Sequence, residues 1–379
     1  REQESSPNLT IPLSNRNHVT IGFLSGEFRE HATTKLLIST LEDLVQDPTL
    51  EIVLLDNGPK DNSKYRQRLE SMGAIIHDIR LMSDDDAYKL IRAEEIDVLI
   101  NLNGFFGRHR NALFFRRSAP IQINYLGFPG TMGHPAIDYL IGDEMVTPLH
   151  HQNSYTETII NIPGCYQPQD SRRVRPQVRS RAELNLPENK FLYCCLNNNY
   201  KITREIFNVW TNILKQTDDS VLLLLKDNQD AEINLLKHVS KAGLRGRVIL
   251  ISRQPTSRYL QTLQQCDLFL DTFPYNAHTT CADALFMGLP VLTLRGSTFP
   301  SRVASSILKS YELSDYGLSS LSLSEYEERA ISLCSFEKTS RLKHVIDKNH
   351  KIYRSQQDQE YPRKFSTLLH QIIDELVDD

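Results

Sequence analysis

Phe269-Leu-Asp-Thr-Phe-Pro-Tyr-Asn-Ala-His-Thr-Thr-Cys-Ala-Asp-Ala-Leu-Phe-Met-Gly-Leu-Pro-Val-Leu-Thr293 is the stretch on which the fold turns. It opens as a short buried strand closing at Asp271, and Pro274 and Asn276 then force a loop before helix formers resume at Cys281. Gly288-Leu-Pro290 stops that helix, and 291–294 reads as the next strand. His278, Thr279 and Thr280 therefore fall where a helix begins, the point at which unpaired amides and the positive end of the helix dipole converge. Such a turn can hold a diphosphate. It is also the pattern of a helix simply capped by Thr279 or Thr280 with His278 at the surface, so this stretch alone fixes a fold type and not a function.

The same grammar runs outward from it. Strands are expected over 191–196, 221–225 and 248–251, and helices over 203–216, 230–242 and 256–265. The first half repeats the alternation, with strands over 19–24, 51–55, 75–77, 96–102 and 121–126 and helices over 33–45, 63–72, 83–95 and 111–117. Strands alternating with helices imply parallel sheets covered on both faces. The fold class expected is α/β, with two tandem Rossmann-like doubly wound domains facing across a cleft at the carboxyl ends of their strands.

The Pro- and Arg-rich segment 163–187, with Arg172, Arg173, Arg175, Arg179 and Arg181, contains the domain boundary. The expected division is a linker or arm over 1–17, a first domain over 18–178, a second over 179–350 and a terminal helix within 351–379. That helix carries Phe365, Leu368, Leu369, Ile372 and Leu376 on one face and needs a partner surface.

A chain of 379 residues exceeds what one hydrophobic core usually serves. With a formal charge of -4 it has no general attraction to nucleic acid or an anionic membrane, although one local basic site suffices for a nucleotide-containing small ligand. Cys165, Cys194, Cys195, Cys266, Cys281 and Cys334 show no CxxC spacing, and reduced thiols in a cytoplasmic protein are the expectation. No apolar run approaches the roughly 20 residues needed to span a bilayer. The chain starts at Arg1, which reads as a piece of a longer protein; whether a repeat or targeting segment precedes it is left open.

Four polar segments fall just past strand carboxyl ends: Ser25-Gly-Glu-Phe-Arg-Glu-His31, the glycine loop 127–133, Asn197-Asn-Asn-Tyr-Lys-Ile202 and His278-Thr-Thr280. Chance would scatter them over both ends of the sheets. Lys201 is the cation suited to neutralise a phosphate there, and a lysine at a helix start is otherwise poorly placed against the dipole. His31 can serve as general acid or base, or merely bond backbone at the start of a helix. Asp84-Asp-Asp86 after Ser83 suits a helix start better than a metal site. No GxSxG, HExxH or GxxxxGK[ST] occurs.

Taken together, Gly26-Glu-Phe-Arg-Glu-His31, Asn101-Leu-Asn-Gly104, Ala119-Pro-Ile-Gln122, Leu126-Gly-Phe-Pro-Gly-Thr-Met-Gly133 with Ile137-Asp-Tyr139, 197–202, and Leu270-Asp-Thr272 through His278-Thr-Thr280 to Asp283 carry a resemblance. The chain resembles the catalytic region of the O-GlcNAc transferase-like protein glycosyltransferases, in the bacterial style, along nearly its whole length. The resemblance implies a GT-B fold, a donor held mainly by the second domain, and a terminal helix returning to the first. It implies inverting, metal-independent transfer of N-acetylglucosamine from UDP-GlcNAc to Ser or Thr of a protein, with no cofactor. By position, Lys201, His278, Thr279 and Thr280 match the diphosphate site, Asp283 a ribose-binding carboxylate, Asn198 a nucleotide contact, and Leu126, Gly127 and Pro129 the sugar loop. His31 and Tyr200 match residues beside the reacting centre, His31 as base or as positioning residue.

There are departures from the family pattern. Thr256 and Tyr259 stand where a Lys and a His are usual, so Tyr259 is the expected stacking surface for uracil. Phe105-Phe106 replaces the usual Tyr-Thr after Gly104, which leaves glucose or another hexose open as donor sugar. No tetratricopeptide pattern precedes residue 18, so acceptor choice is expected to involve a further domain or partner. Transfer to asparagine or to a non-protein acceptor, and a non-catalytic nucleotide-binding or interaction domain, are the competing readings.

Overall fold

The computed structural model describes residues 18–377; the expected arm over 1–17 lies outside them. The chain divides into two compact units, Arg1–Arg172 with Gln357–Asp379, and Arg173–Gln356.

The first unit carries strands β1 (Val19–Ser25), β2 (Leu50–Asp56), β3 (Ile75–Asp78), β4 (Val98–Asn101), β5 (Ile121–Tyr125), β6 (Tyr139–Gly142) and β7 (Thr158–Asn161). All neighbours are parallel, in the order β3-β2-β1-β4-β5-β6-β7. Helices α1 (Ala32–Leu44), α2 (Lys64–Ser71), α3 (Asp84–Ala93) and α4 (Asn111–Phe115) make the crossovers. β4 and β5 are buried along their whole length and β1 from Thr20 onward, because both faces of the sheet are covered, and the polar residues they carry, such as Gln122 and Asn124, are buried too. One covered face holds Leu24, Val53, Leu55, Leu99, Leu113 and Phe114, all fully buried. Strand order reverses between β1 and β4, so the loops leaving their carboxyl ends diverge and open a crevice there.

The second unit repeats the plan with β8 (Phe191–Cys195), β9 (Ser220–Lys226), β10 (Val248–Ser252), β11 (Leu268–Leu270), β12 (Val291–Leu294) and β13 (Ser319–Ser320). They too are parallel, in the order β10-β9-β8-β11-β12-β13, with the reversal between β8 and β11. Its helices are α5 (Arg204–Gln216), α6 (Gln229–Lys241), α7 (Thr256–Gln265), α8 (Thr279–Phe286), α9 (Val303–Ser310), α10 (Leu323–Ser332) and all but the end of α11 (Phe336–Gln359). Thr203 and Asn228 cap α5 and α6 by accepting the N–H three residues on. The opening stretch becomes β11, a loop with a cis Phe273–Pro274 peptide, α8 and β12.

A last helix, α12 (Tyr361–Val377), belongs to the first unit. Pro362 has no N–H to continue α11, which separates the two helices at Glu360. Phe365, Leu369 and Ile372 are buried, Ser366 bonds Asp47 at 2.9 Å, and Tyr361 meets the Tyr125 hydroxyl at 2.6 Å. The expected stripe continues to Leu376, whose side chain lies outside those described.

The structure differs from expectation in its short strands, one helix, the unit boundaries and one helix start. β6, β7 and β13 are too short, at two to four residues, to give a periodic signal, and α9 follows a loop whose start has no capping side-chain bond. The units divide at 172/173 and 356/357 where 178/179 and 350/351 were expected. Arg173 is already bound to Asp283 of the second unit, and α11 contains neither Pro nor Gly to break it near 350. α8 begins at Thr279 and not at Cys281. Among the described residues no helix is long and apolar enough to cross a membrane.

Candidate functional site

In the first unit the crevice between β1 and β4 is built from side-chain amides gripping backbone. Asn103 Oδ1 accepts the Gly26 N–H at 2.9 Å, and Asn101 Oδ1 accepts those of Asn103 and Gly104 at 3.0 and 2.8 Å. These bonds fix the loop that ends at His31, the N-cap of α1. His31 Nδ1 accepts the Thr33 N–H at 3.3 Å, so the neutral ring carries its proton on Nε2. Phe106 stacks on the ring at 5.8 Å between centroids. Buried Glu27 places Oε2 2.5 Å from Arg29 Nη2 and 3.9 Å from His31 Nε2. Burial lowers the pKa of His31; Glu27 opposes this, and Arg29 and Lys35 add to it. The ring is therefore neutral at physiological pH.

The glycine loop interlocks with the same region. Leu126 has a left-handed backbone, and a Cβ on Gly127 would lie 2.0 Å from the Leu102 carbonyl oxygen and 2.7 Å from Phe106. Only glycine permits that approach. Pro129, partly buried, continues the loop. His31 and Gly127 thus share Phe106 as a common wall, while Phe105 is half exposed and meets Phe128 edge to face at 5.3 Å.

In the second unit Lys201 ends a short turn after β8. Its Nζ donates to the Asn276 carbonyl at 2.8 Å and lies 4.1 Å over the Tyr275 ring, which stacks on His278 at 4.9 Å. Among the described residues no carboxylate comes within ion-pair distance of it. Burial pushes its pKa down to about 8, opposed chiefly by the charge of Asp271. Asp271, wholly buried at the end of β11, accepts Thr293 Oγ1 at 2.6 Å and the N–H groups of Thr272 and Ala277 at 2.7 and 2.6 Å. Burial raises its pKa, and those bonds and Lys201 hold it back.

His278 Nε2 faces the Pro300 carbonyl at 3.3 Å and must donate to it; burial keeps this ring neutral too. Thr279 and Thr280 open α8, and their backbone N–H groups bond nothing among the described residues. The Thr280 hydroxyl donates to Asn197 Oδ1, and Asn197 in turn reaches Thr272 at 2.9 Å, tying the loop after β8 to the loop after β11. Asn198 Oδ1 accepts from Arg253 at 2.7 Å, and Tyr200 is 73% exposed. On α8, Asp283 receives Arg173 Nη2 at 2.6 Å. Tyr259, on α7, buries its hydroxyl beside Asp283 without a hydrogen-bond partner.

Of the residues singled out in the sequence, His31, Leu126, Gly127 and Pro129 thus lie in the first unit. Asn198, Tyr200, Lys201, Tyr259, His278, Thr279, Thr280 and Asp283 lie in the second. Four further residues support these, each present in the sequence segments above but without an expected role: Glu27, Asp271, Asn197 and Arg173. Glu27 and Asp271 were visible as acids at the ends of apolar strands, where burial of a carboxylate needs a reason. Asn197 and Arg173 carried no local signal, since their partners are 83 and 110 residues away in sequence. Asp84, Asp85 and Asp86 lie in the first turn of α3, with Ser83 accepting the Asp86 N–H and Arg110 and Arg116 paired to Asp84 and Asp85.

The chain matches the model of Glycosyl transferase family 41 over residues 7–180 and 169–361. It is 35% identical over 320 residues to the probable UDP-N-acetylglucosamine--peptide N-acetylglucosaminyltransferase SEC of Arabidopsis thaliana, covering 83% of this chain and 32% of that protein. Similarity to SPINDLY of Solanum lycopersicum, given the same activity name, is 27% over 334 residues, or 84% of this chain and 34% of that one. The chain therefore spans about a third of the length of the curated relatives it matches. A mutant of the Thermobaculum terrenum O-GlcNAc transferase superposes with a TM-score of 0.86 at 26% identity, over 96% of this chain and 69% of that one. HepE of Anabaena, solved with UDP and glucose, shares the fold at a TM-score of 0.59 and 13% identity, over 96% of this chain and all of its own. Two Rossmann-like units in one chain make the fold GT-B-like, and on sequence and structure together the chain belongs to glycosyl transferase family 41.

Proposed function

We propose that this chain moves N-acetylglucosamine from UDP-GlcNAc to Ser or Thr hydroxyls of a protein, with inversion and without a metal ion. The observation that supports it most is Lys201, a partly buried cation whose only hydrogen-bond partner among the described residues is a carbonyl. Burial of an unpaired charge is unfavourable, and an anionic ligand removes the penalty. The free amides of Thr279 and Thr280 open the helix that follows the same loop. As the bond from sugar to diphosphate breaks, negative charge grows on the departing oxygen. Donors already fixed in place stabilise that charge more in the transition state than in the substrate. They supply what a divalent ion supplies elsewhere.

Inversion follows from a single displacement, which needs no nucleophile from the protein. His31 takes the part of an orienting group: with Nδ1 engaged by Thr33, its Nε2–H can donate to an oxygen but cannot accept a proton. Tyr200, exposed, is available to acceptor or sugar. Leu126, Gly127 and Pro129 bring main chain to the sugar, Asn198 and Tyr259 contact the base, and Asp283 the ribose. The names of SEC and SPINDLY support both the donor and a peptide acceptor. Their extra length leaves room for a domain that selects the acceptor, and buried reduced cysteines suit a cytoplasmic setting.

The test is mass spectrometry of a protein extract after incubation with the purified chain and either UDP-GlcNAc or UDP-glucose. N-acetylhexosamine on Ser or Thr is expected, and NMR of the product should show a β linkage from the α-linked donor. Modification confined to asparagine, preference for UDP-glucose, or a retained α linkage would each refute the assignment.

A further inference from the structure

Asp283 lies four residues after Thr279 on α8, so the two share one face of the helix about 6 Å apart along its axis. That offset is close to the separation of the diphosphate from the ribose in an extended nucleotide, and it places a carboxylate one turn below the free amides. The carboxylate is not free to turn. Its Oδ1 accepts Arg173 Nη2 at 2.6 Å. Arg173 is itself held flat, its guanidinium carbon 4.3 Å from the centroid of the Phe286 ring on the same helix. Both partners are largely buried, at 13% and 20% exposure, so the bond is poorly screened by water. Tyr259 brings its buried hydroxyl beside the same carboxylate but outside normal hydrogen-bond geometry.

We propose that Arg173 is a positioning residue for the nucleotide donor: clamped on Phe286, it fixes the Asp283 carboxylate so that Oδ2 faces outward to accept from a vicinal diol. The inference rests on Asp283 being the ribose contact. Arg173 touches no substrate atom in this scheme and acts only through the carboxylate. Its planar fork gives a defined orientation that a lysine would not.

The experiment is calorimetric titration of the whole chain with UDP and with 2′,3′-dideoxy-UDP, in the wild type and in Arg173→Met, which keeps the packing on Phe286. The wild type should prefer UDP by about 10- to 100-fold, the range for hydrogen bonds to a charged acceptor. Arg173→Met should shrink that preference to about threefold or less, with KM for the donor rising more than kcat falls. A variant that weakens both ligands equally, or neither, overturns the role of Arg173 while leaving the ribose assignment standing. A wild type that does not distinguish the two ligands overturns the ribose assignment and this inference with it. Should the Met variant fail to fold by circular dichroism, Arg173→Gln keeps a donor without charge and is held to the same outcomes.

Discussion

Above neutrality the pH dependence of UDP binding follows mainly from one side chain. Lys201 loses its proton at about pH 8, because burial disfavours the ammonium more than the charge of Asp271 favours it. About nine-tenths of the lysine is charged at pH 7 and about one-tenth at pH 9. A terminal phosphate is fully ionised above its pKa of about 6, so the ligand does not change over this window. His31 and His278 both titrate below their ordinary values and are silent there. Asp271, which burial pushes up to about 7, is ionised over most of this window; affinity for UDP should therefore fall about tenfold between pH 7 and pH 9 and level off once the main-chain amides alone remain. The ceiling is the worth of one charged hydrogen bond, about 1.5–3 kcal/mol, or about 10- to 150-fold.

The sign can be checked independently. Bound diphosphate raises the lysine pKa, so binding takes up a proton: almost none at pH 7, approaching one at pH 9. Calorimetry in buffers of differing ionisation enthalpy measures that uptake directly. In Lys201→Met the slope and the uptake should vanish, affinity at pH 7 should drop to the high-pH level of the wild type, and turnover should fall about a hundredfold or more. A wild-type affinity that stays constant from pH 7 to 9.5, or a Met variant that keeps the slope, would remove Lys201 from the site.

Replacing magnesium with EDTA should change turnover by less than about twofold, and a loss beyond about tenfold would show that a metal carries the leaving charge. Gly127→Ala puts a methyl 2.0 Å from the Leu102 carbonyl, which is backbone and cannot move aside, so KM for the sugar donor should rise while UDP itself still binds; an equal loss for UDP and UDP-GlcNAc would contradict the sugar role of that loop. Arg66→Met breaks a buried pair, 2.5 Å from Asp56 Oδ2, in which the two side chains are 3% and 1% exposed. Stranding Asp56 should cost about 3–5 kcal/mol, about 10 °C or more in Tm, and Arg66→Met with Asp56→Leu should recover most of it. Because Arg66 also holds the Phe28 carbonyl at 3.2 Å, the single variant should loosen the loop before His31 as well, seen as faster hydrogen exchange there.

Most of the strands and helices were legible because several of the buried parallel strands are apolar runs and several of the helices between them, such as α3, α5 and α6, are capped by a side chain. What the sequence could not show was pairing across distance. Thr280 at a helix start can be seen in a linear reading; that its hydroxyl binds Asn197 cannot, because the contact exists only once β8 and β11 are neighbours. His31 shows the same limit. As a letter it allows base, acid or cap, and only the Thr33 bond to Nδ1 and the Phe106 ring over its face narrow the choice. The short strands β6 and β7 are set by pairing to β5 and to each other, not by their four-residue sequences.

The placement of Asp271 explains how Lys201 stays available. A carboxylate in direct contact with the lysine would form a buried pair, and a ligand would have to break it at a cost of several kcal/mol. Asp271 instead spends Oδ1 on two main-chain amides and Oδ2 on Thr293, and lends Lys201 only its field. The lysine is thereby kept mostly charged at neutral pH but bonded to nothing stronger than the Asn276 carbonyl. Asp271→Asn should then lower the lysine pKa, move the pH transition of UDP binding downward and weaken binding at pH 7, whereas an acid that merely competed for the lysine would on removal tighten it. Tighter UDP binding by Asp271→Asn at pH 7 would show the carboxylate to be a competitor and not a support.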